Sequence, residues 1–289
     1  MRVHHLNCAT DCPLGGAIFD GRSTGPLGLI VGHCLLIETD AHGLVLVDTG
    51  YGLNDVAHPQ GRVPNFFRAL LNIRLREEDT AARQVEAMGF KRSDVRHIVL
   101  THLDFDHAGG IEDFPDAAVH LMAAEHDAAT GPRRGFIAHG RYRPRQWAGV
   151  TDWRTYGAAG EPWFGFDAVR RLDDLPPEIL LVPLPGHTWG HAGVAVRRDA
   201  KDGEEGGRWL LQAGDAYFYR GEVRGPTRRC TPGLRAYQNL MNVHRDQRLA
   251  NQERVRRLSV EHEGEIDVVC SHDAHEFEAC RAGRSLSAR

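Results

Sequence analysis

Short apolar runs alternate with polar junctions along most of the chain, and this pattern predicts alternating strands and helices. The near-continuous apolar run Leu29–Glu38 predicts a strand that is covered on both faces. The His42-Gly43 turn signal predicts that Leu44–Val47 forms a hairpin with it. Further strands are predicted over Val95–Leu100, Ala117–Met122, Ile179–Pro183, Ala192–Arg197, Trp209–Gln212 and Asp267–Cys270. Helices are predicted over Asp79–Met88, Ala123–Ala129 and Gln247–Arg257.

Residues 130–176 interrupt this pattern, because they are rich in Gly, Pro and Arg. Long irregular stretches in compact domains are usually functional or mobile. We therefore expect one domain over residues 1–289 that carries an irregular insertion at about 130–176. The aromatic side chains of this insertion are predicted to form an apolar wall for substrate, with core packing as the alternative: Tyr142, Trp147, Trp153, Tyr156, Trp163, Phe164 and Phe166.

Polar residues that can bind metal ions follow several of the predicted strands. They are Asp48, His102, His187, Asp215 and His272. Residues at strand ends on one edge of a scaffold are where functional sites are commonly built. The pattern therefore predicts one site at one edge of the fold.

The segment Thr101–Gly110 is the densest part of this pattern, with His102, Asp104, Asp106 and His107 close together. Burying two imidazoles and two carboxylates without partners would cost several kcal/mol, and a metal ion removes that cost. In an extended loop, residues 102, 104 and 106 point one way and residue 107 points the other. One short loop is then able to serve two adjacent ions.

Composition narrows the class of protein. Hydrophobic residues make up 42% and charged residues 26% of the chain, which excludes a largely disordered protein. The net charge of −4 gives no electrostatic reason to expect nucleic acid or an anionic membrane as a partner. No apolar run approaches the about 20 residues of a membrane span, no signal-peptide pattern begins the chain, and the six cysteines form no CxxC pair. We therefore expect a cytoplasmic protein with reduced thiols.

Five segments, taken together, resemble the metallo-β-lactamase superfamily. They are Val47-Asp48-Thr49-Gly50, His102-x-Asp104-x-Asp106-His107, Gly186-His187-Thr188-x-Gly190-His191, Gly214-Asp215 and Ser271-His272. They occur in the family's order and extend over most of the chain. The resemblance implies an α/β fold: a four-layer αββα sandwich of two mixed β-sheets with external helices and metals at one edge.

The resemblance also implies the ligand sets. One ion would be held by His102, Asp104 and His187, a second by Asp106, His107 and His272, and Asp215 would bridge them. Zinc is the first expectation for these two divalent ions. Most members have His where this chain has Asp104, and the harder carboxylate leaves iron or manganese open. Asp106 would also pass a proton to the leaving group.

Several other residues have two interpretations. Tyr217 and Tyr219 share a face with Asp215 if the segment is extended, so one of them would donate a hydrogen bond to substrate; core packing is the alternative. Asp48 either orients a ligand or caps a turn, and His191 is expected to support the site rather than bind metal. An edge strand and loop is favoured over an extra metal site for His4, His5, Cys8 and Cys12.

We expect a dinuclear metal-dependent hydrolase that opens a lactone or related carbonyl ester by attack of metal-bound hydroxide. Acyl-homoserine lactones are the first candidates, because the chain is most similar to that branch of the family. The expected partner is a small molecule with an apolar tail, and the family also suggests a homodimer. The alternatives are a thioesterase or phosphodiesterase of the same fold, or an iron-dependent oxidoreductase of the persulfide dioxygenase type.

Overall fold

The computed structural model describes residues 1–132, 135–199, 207–225, 227–284 and 286. The strands in these ranges are β1 Arg2–Asp11, β2 Ile30–Glu38, β3 Leu44–Val47, β4 Ile73–Arg74, β5 Val95–Val99, β6 Ala118–Met122, β7 Trp153–Tyr156, β8 Glu161–Trp163, β9 Phe166–Arg171, β10 Ile179–Pro183, β11 Ala192–Arg197, β12 Trp209–Gln212 and β13 Ile266–Val269. The α-helices are α1 Ala17–Asp20, α2 Leu53–Ala57, α3 Asn65–Leu71, α4 Ala81–Ala87, α5 Phe105–Ala108, α6 Ala123–Thr130, α7 Phe136–Arg141, α8 Pro232–Met241, α9 Arg245–Glu261 and α10 Ala274–Arg281.

The strands form two mixed sheets. The first has the order β4-β1-β2-β3-β5-β6-β7, and the second has the order β13-β12-β11-β10-β9-β8. In the first sheet β3, β5, β6 and β7 run parallel, whereas β1, β2 and β3 pair antiparallel. In the second sheet β12 and β13 are parallel and the other pairs are antiparallel. Both sheets therefore combine hairpins with crossover connections.

The two sheets pack face to face over an apolar core. Alternate residues of each strand point inwards, so Leu35 of β2 and Val45 of β3 meet Leu181 of β10 and Val194 of β11 in one buried cluster. The opposite face of the first sheet packs on helix α4, and that of the second sheet packs on α9. This arrangement is the predicted four-layer αββα sandwich of the metallo-β-lactamase fold.

The strand and helix predictions agree with the structure outside one region. Four predicted strands, Leu44–Val47, Ile179–Pro183, Ala192–Arg197 and Trp209–Gln212, have the observed bounds. Helix α4 begins after Thr80 rather than Asp79, because the Thr80 side chain accepts the Arg83 N–H and caps the helix. The pattern gave no indication of helix α8.

In the described part of the stretch 130–176 the structure is more regular than predicted, and it supports core packing of the predicted aromatic residues rather than a substrate wall. This stretch contains α7 and the strands β7, β8 and β9, which extend the two sheets at their edges. Most of its aromatic side chains pack inside the molecule, with Trp147 and Tyr142 under the first sheet, Tyr156 between the sheets and Phe166 under the second, whereas Phe136 is 64% exposed. Core packing, the alternative interpretation, describes these residues.

None of the helices that the structure describes combines the length and the apolar character needed to cross a membrane.

Candidate metal centre

The strand-end residues meet at one edge of the sandwich. Asp48 follows β3, His102 lies beyond the end of β5, Asp215 follows β12, and His272 follows β13. His187 comes from the connection between β10 and β11. The carboxyl ends of parallel neighbours meet at the same sheet edge, which explains why residues far apart in sequence converge here.

The loop after β5 changes conformation halfway. It is extended as far as Asp104, and α5 then forms a single helical turn, with the His107 N–H donating to the Asp104 carbonyl at 2.9 Å. His102 and Asp104 therefore face one group of ligands, and Asp106 and His107 face another. The strict alternation expected of an extended loop does not hold, although the loop does serve two groups.

The first group, hereafter the first ligand set, contains His102, Asp104 and His187. Oδ2 of Asp104 lies 3.4 Å from Nε2 of His102 and 3.1 Å from Nε2 of His187. Neighbouring ligand atoms of a tetrahedral zinc ion lie about 3.3 Å apart, since Zn–N and Zn–O bonds are about 2.0–2.1 Å long. The spacing of the first ligand set fits one such ion.

The second ligand set contains Asp106, His107 and His272. Oδ2 of Asp106 lies 3.9 Å from Nε2 of His107 and 3.8 Å from Nε2 of His272. This set is slightly wider than the first.

Asp215 lies between the two sets and offers one oxygen to each. Its Oδ2 lies 3.2 Å from Nε2 of His187, and its Oδ1 lies 3.4 Å from Nε2 of His107 and 3.1 Å from Nε2 of His272. Burial opposes ionisation of Asp215, but the surrounding histidines hold the pKa of its carboxyl group well below the usual range. The geometry is that of a bridging carboxylate.

The residues present fit two divalent ions. Nε2 of His102, Nε2 of His107 and Oδ1 of Asp215 are buried and find no hydrogen-bond partner in the part of the chain that the structure describes. Buried polar atoms are normally hydrogen-bonded, so three orphaned atoms at one centre require another partner. Imidazole nitrogens and carboxylate oxygens are suitable ligands for zinc and similar ions.

The outer nitrogens of two histidines are fixed by hydrogen bonds. Nδ1 of His107 lies 2.9 Å from Oδ2 of Asp48, and Nδ1 of His272 lies 2.9 Å from the Val31 carbonyl oxygen. A proton on Nδ1 leaves the Nε2 lone pair free to face a metal ion. Asp48 also accepts the Thr101 backbone N–H at 2.8 Å, so it both orients a ligand and holds a turn.

His191 supports Asp215 through the backbone. Its Nδ1 donates to the Leu184 carbonyl at 2.9 Å, and its Nε2 accepts the Asp215 N–H at 2.8 Å. Burial lowers the pKa of His191 to about 3, which keeps the ring neutral and able to accept. Gly214 is required here, because its φ is 55° and a Cβ atom would lie 2.6 Å from Nε2 of His191.

Arg141 contacts the first ligand set, although nothing in the sequence pattern indicated it. Its side chain is 1% exposed, and it donates from Nε to Oδ1 of Asp104 at 2.7 Å and from Nη2 to Oδ2 at 2.8 Å. Burial alone would raise the pKa of Asp104, but the guanidinium and His102 hold it well below its usual range. Asp104 is therefore a carboxylate paired with a buried cation.

Glu125 of α6 joins the two loops that carry the first ligand set. It is fully buried, and it accepts the Leu103 N–H at 3.0 Å and the Gly190 N–H at 3.1 Å. An acidic residue in the first turn of a helix is ordinarily explained by its favourable interaction with the helix dipole. The sequence therefore gave no reason to connect Glu125 with the site.

Tyr217 does not face the site, whereas Tyr219 lines a cavity that His272 also lines, so a contact between Tyr219 and substrate stays a prediction. Tyr217 is fully buried and donates to Oε2 of Glu276 at 2.9 Å. The Tyr219 ring packs beneath the Arg220 guanidinium, and its hydroxyl group lies against Gly21. Tyr217 faces away because the 3₁₀ turn Gly214–Ala216 removes the shared face that an extended segment would give.

Phe218 is the residue of this segment that faces the site. Its ring centroid lies 4.8 Å from that of His272 and 5.8 Å from that of His187. Tyr237 of α8 packs against Phe218 and lines one cavity together with Asp106 and His272. Sequence reasoning missed Tyr237 because helix α8 was not predicted.

The remaining walls of this cavity are Asp11, Ile30, Leu71, Phe218 and Leu234. Most of them are apolar. Burial raises the pKa of Asp11 to about 8, with the charge of Asp106 adding to the shift, and the Tyr51 hydroxyl donates to Asp11 at 3.3 Å.

The N-terminal histidines and cysteines belong to β1 and the segment after it. Nδ1 of His5 lies 2.8 Å from Nε2 of His33, Cys8 is buried under the first sheet, and the Cys12 N–H donates to the Leu71 carbonyl at 2.9 Å. Strand β1 pairs with β2 along its length and with the edge strand β4 at its end.

Residues 27–240 match the family model described as the Metallo-beta-lactamase superfamily. The chain therefore belongs to this superfamily, and it is a metal-dependent hydrolase. A protein named "Probable metallo-hydrolase" from Mycobacterium tuberculosis is 43% identical over 97% of this chain and 83% of its own length.

Two further comparisons concern lactonases. An N-acyl homoserine lactonase from Bacillus thuringiensis is 31% identical over 64% of this chain and 63% of its own length. A solved structure of an N-acyl homoserine lactone hydrolase, with the product N-hexanoyl-L-homoserine bound at its catalytic metal centre, superposes with a TM-score of 0.67. It is 19% identical and covers 96% of each chain, which shows the shared fold.

Proposed function

We propose that this hydrolase opens the lactone ring of N-acyl homoserine lactones at a centre of two divalent ions, with zinc as the first candidate. The observation that carries the proposal is the position of Asp215, whose carboxylate lies 3.2 Å from Nε2 of His187 in the first ligand set and 3.1 Å from Nε2 of His272 in the second. The lactonase relative and the lactonase fold support the choice of substrate.

The chain's own residues would hold the two ions as follows. His102, Asp104 and His187 would bind the first, Asp106, His107 and His272 the second, and Asp215 both. When bound, such a pair supplies Lewis-acid chemistry, polarising a carbonyl group and lowering the pKa of bound water. Asp48 and the Val31 carbonyl keep His107 and His272 in the orientation that this requires.

We take the cavity that Tyr237 lines as the place where substrate binds and call it the substrate cavity; its walls favour a small molecule with an apolar part. Ile30, Leu71, Phe218 and Leu234 form apolar walls beside Asp106 and His272 of the second ligand set. The space between these walls, about 10 Å³, holds about one water molecule, so an acyl chain would enter it only with movement of the surrounding side chains. These residues replace the stretch 142–166 as the proposed contact for the acyl tail.

Two polar groups in the cavity are suited to proton and hydrogen-bond chemistry. The Asp106 carboxylate would accept a proton from the attacking water and pass it to the ring oxygen as the bond between that oxygen and the carbonyl carbon breaks. The Tyr237 hydroxyl would donate a hydrogen bond to a substrate oxygen from the opposite wall.

A pH-indicator assay with a long-chain acyl-homoserine lactone tests this proposal. Purified protein should release acid from the lactone, a chelated sample should not, and added zinc should restore the release. A thioester and an aryl phosphodiester serve as comparison substrates. Metal-loaded protein that releases no acid from the lactone would contradict the proposal, and turnover of either comparison substrate alone would assign the corresponding activity instead.

A further inference from the structure

We infer that Arg141 is a positioning residue that sets which divalent ions the first ligand set accepts. It does so by cancelling the charge of Asp104 and by restricting the directions in which that carboxylate can bind metal. The inference rests on the proposed two-ion centre, because it takes Asp104 as a ligand of one ion.

Arg141 engages both oxygens of Asp104. Nε donates to Oδ1 at 2.7 Å and Nη2 donates to Oδ2 at 2.8 Å, which is the bidentate fork that guanidinium forms with carboxylate. Oδ2 is also the oxygen that lies near His102 and His187. With Oδ1 bound to Arg141, Asp104 is left with one oxygen for the ion, so chelation by both oxygens is excluded.

Two further contacts hold the Arg141 guanidinium in this position. Nη1 of Arg141 donates to the His187 carbonyl at 3.1 Å, and the next residue, Tyr142, pairs with Asp104 through an isolated antiparallel bridge. Arg141 is buried, so its charge has little solvent to screen it. The guanidinium is therefore built into the first ligand set and cannot swing away without breaking backbone contacts.

The charges of the pair cancel. An Asp104 carboxylate alone would add a negative charge where most family members have a neutral imidazole, and hard, anionic ligands favour manganese or iron. With Arg141 attached, the pair is neutral, as an imidazole would be. Nη2 also donates to Nε2 of His187 at 3.1 Å, so the positive charge lies beside this ligand atom, and His187 must exchange that hydrogen bond for the ion when the first ligand set binds metal. Arg141 thus removes the preference for iron or manganese that the Asp104 substitution would otherwise create.

Metal competition tests this inference without using activity. Wild type, Arg141→Gln, Arg141→Lys and the double variant Asp104→His/Arg141→Gln would be dialysed against zinc with a large excess of manganese, and the ions per chain counted by mass spectrometry. Arg141→Gln should raise the bound Mn:Zn ratio about tenfold, the scale on which outer partners of metal ligands act. Arg141→Lys keeps the charge but loses the fork, so it should give a smaller rise. The double variant should return to the wild-type ratio, because a neutral imidazole needs no counter-charge.

The experiment distinguishes a failure of the proposed function from a failure of the role inferred for Arg141. Wild type that binds no ions would contradict the proposed function itself. Wild type that binds two ions, with an Mn:Zn ratio unchanged in Arg141→Gln, would overturn the role of Arg141 alone. If Arg141→Gln does not fold, as judged by circular dichroism, Arg141→Lys decides, and a wild-type ratio in that variant overturns the inference.

Discussion

The two ligand sets differ in their access to solvent and in the charge behind them. In the first ligand set, His102, Asp104 and His187 are 0%, 2% and 1% exposed, and a buried arginine backs the carboxylate. In the second, Asp106 and His272 are 8% and 7% exposed and line the substrate cavity. The difference teaches that the first ion position is the more enclosed of the two and that the second adjoins a cavity.

The outer partners of the two sets carry opposite charges. Arg141 donates to a ligand of the first set, whereas Asp48 accepts from Nδ1 of His107 in the second. A carboxylate behind an imidazole raises its basicity and strengthens metal binding, and a cation behind a carboxylate weakens it. The second ligand set should therefore hold its ion more tightly.

The largest effect is expected from Asp215→Ala, because Asp215 is the residue that the two sets share. The variant should lose both ions, leaving less than one ion per chain, and lactone opening should fall below detection. Metal analysis and the pH-indicator assay measure the two losses together. Full metal occupancy in this variant would show that Asp215 does not bridge.

Tyr237→Phe tests whether the open side of the centre is the substrate side. The loss of a hydrogen bond to a substrate oxygen should lower kcat about a hundredfold with unchanged metal content. Tyr156→Phe is the matched control, because the Tyr156 side chain packs between the sheets with its hydroxyl 2.8 Å from Nδ1 of His120, and it should leave kcat near the wild-type value. Equal kcat values for the two variants would remove Tyr237 from the reaction.

Asp48→Asn tests the difference in affinity between the sets. The variant keeps the size of the side chain but loses the charge behind His107, so affinity at the second ligand set should fall about 10- to 100-fold. A chelator titration should then remove that ion at lower chelator concentration than in wild type. If both ions leave at the same chelator concentrations as in wild type, the proposed difference in affinity between the two ligand sets is contradicted.

The smallest effect is expected from Leu234→Ala, which enlarges the substrate cavity. Loss of apolar contact should raise KM several-fold for a decanoyl substrate and less for a butanoyl one, since each buried methylene contributes about 0.8 kcal/mol. Leu240→Ala is the control on the same helix, because Leu240 is 43% exposed. An equal rise in KM for both substrates would argue against contact with the acyl chain.

The positions of the metal-ligating residues were predictable because the sequence next to each residue is sufficient to indicate it. Asp48, His102 and His272 each follow a recognisable apolar strand, and strand ends converge in any sheet with parallel neighbours. The spacing within Thr101–Gly110 placed ligands on one loop whatever its detailed conformation. Most of the strands of both sheets were predictable for the same reason.

The contacts around the ligands were not predictable in this way. Arg141 lies 37 residues from Asp104, in a stretch whose composition indicated a loop. Tyr217 was placed at the site by assuming an extended segment, whereas the turn at Gly214–Ala216 redirects it. Each of these cases depends on a tertiary contact or a local turn that a single sequence does not display.

Anomalous diffraction from crystals grown with zinc tests the two-ion centre most directly. Two zinc peaks should appear, one contacted by His102, Asp104 and His187 and the other by Asp106, His107 and His272, with Asp215 touching both. A single peak, or none, would contradict the two-ion centre on which the proposed lactone hydrolysis depends.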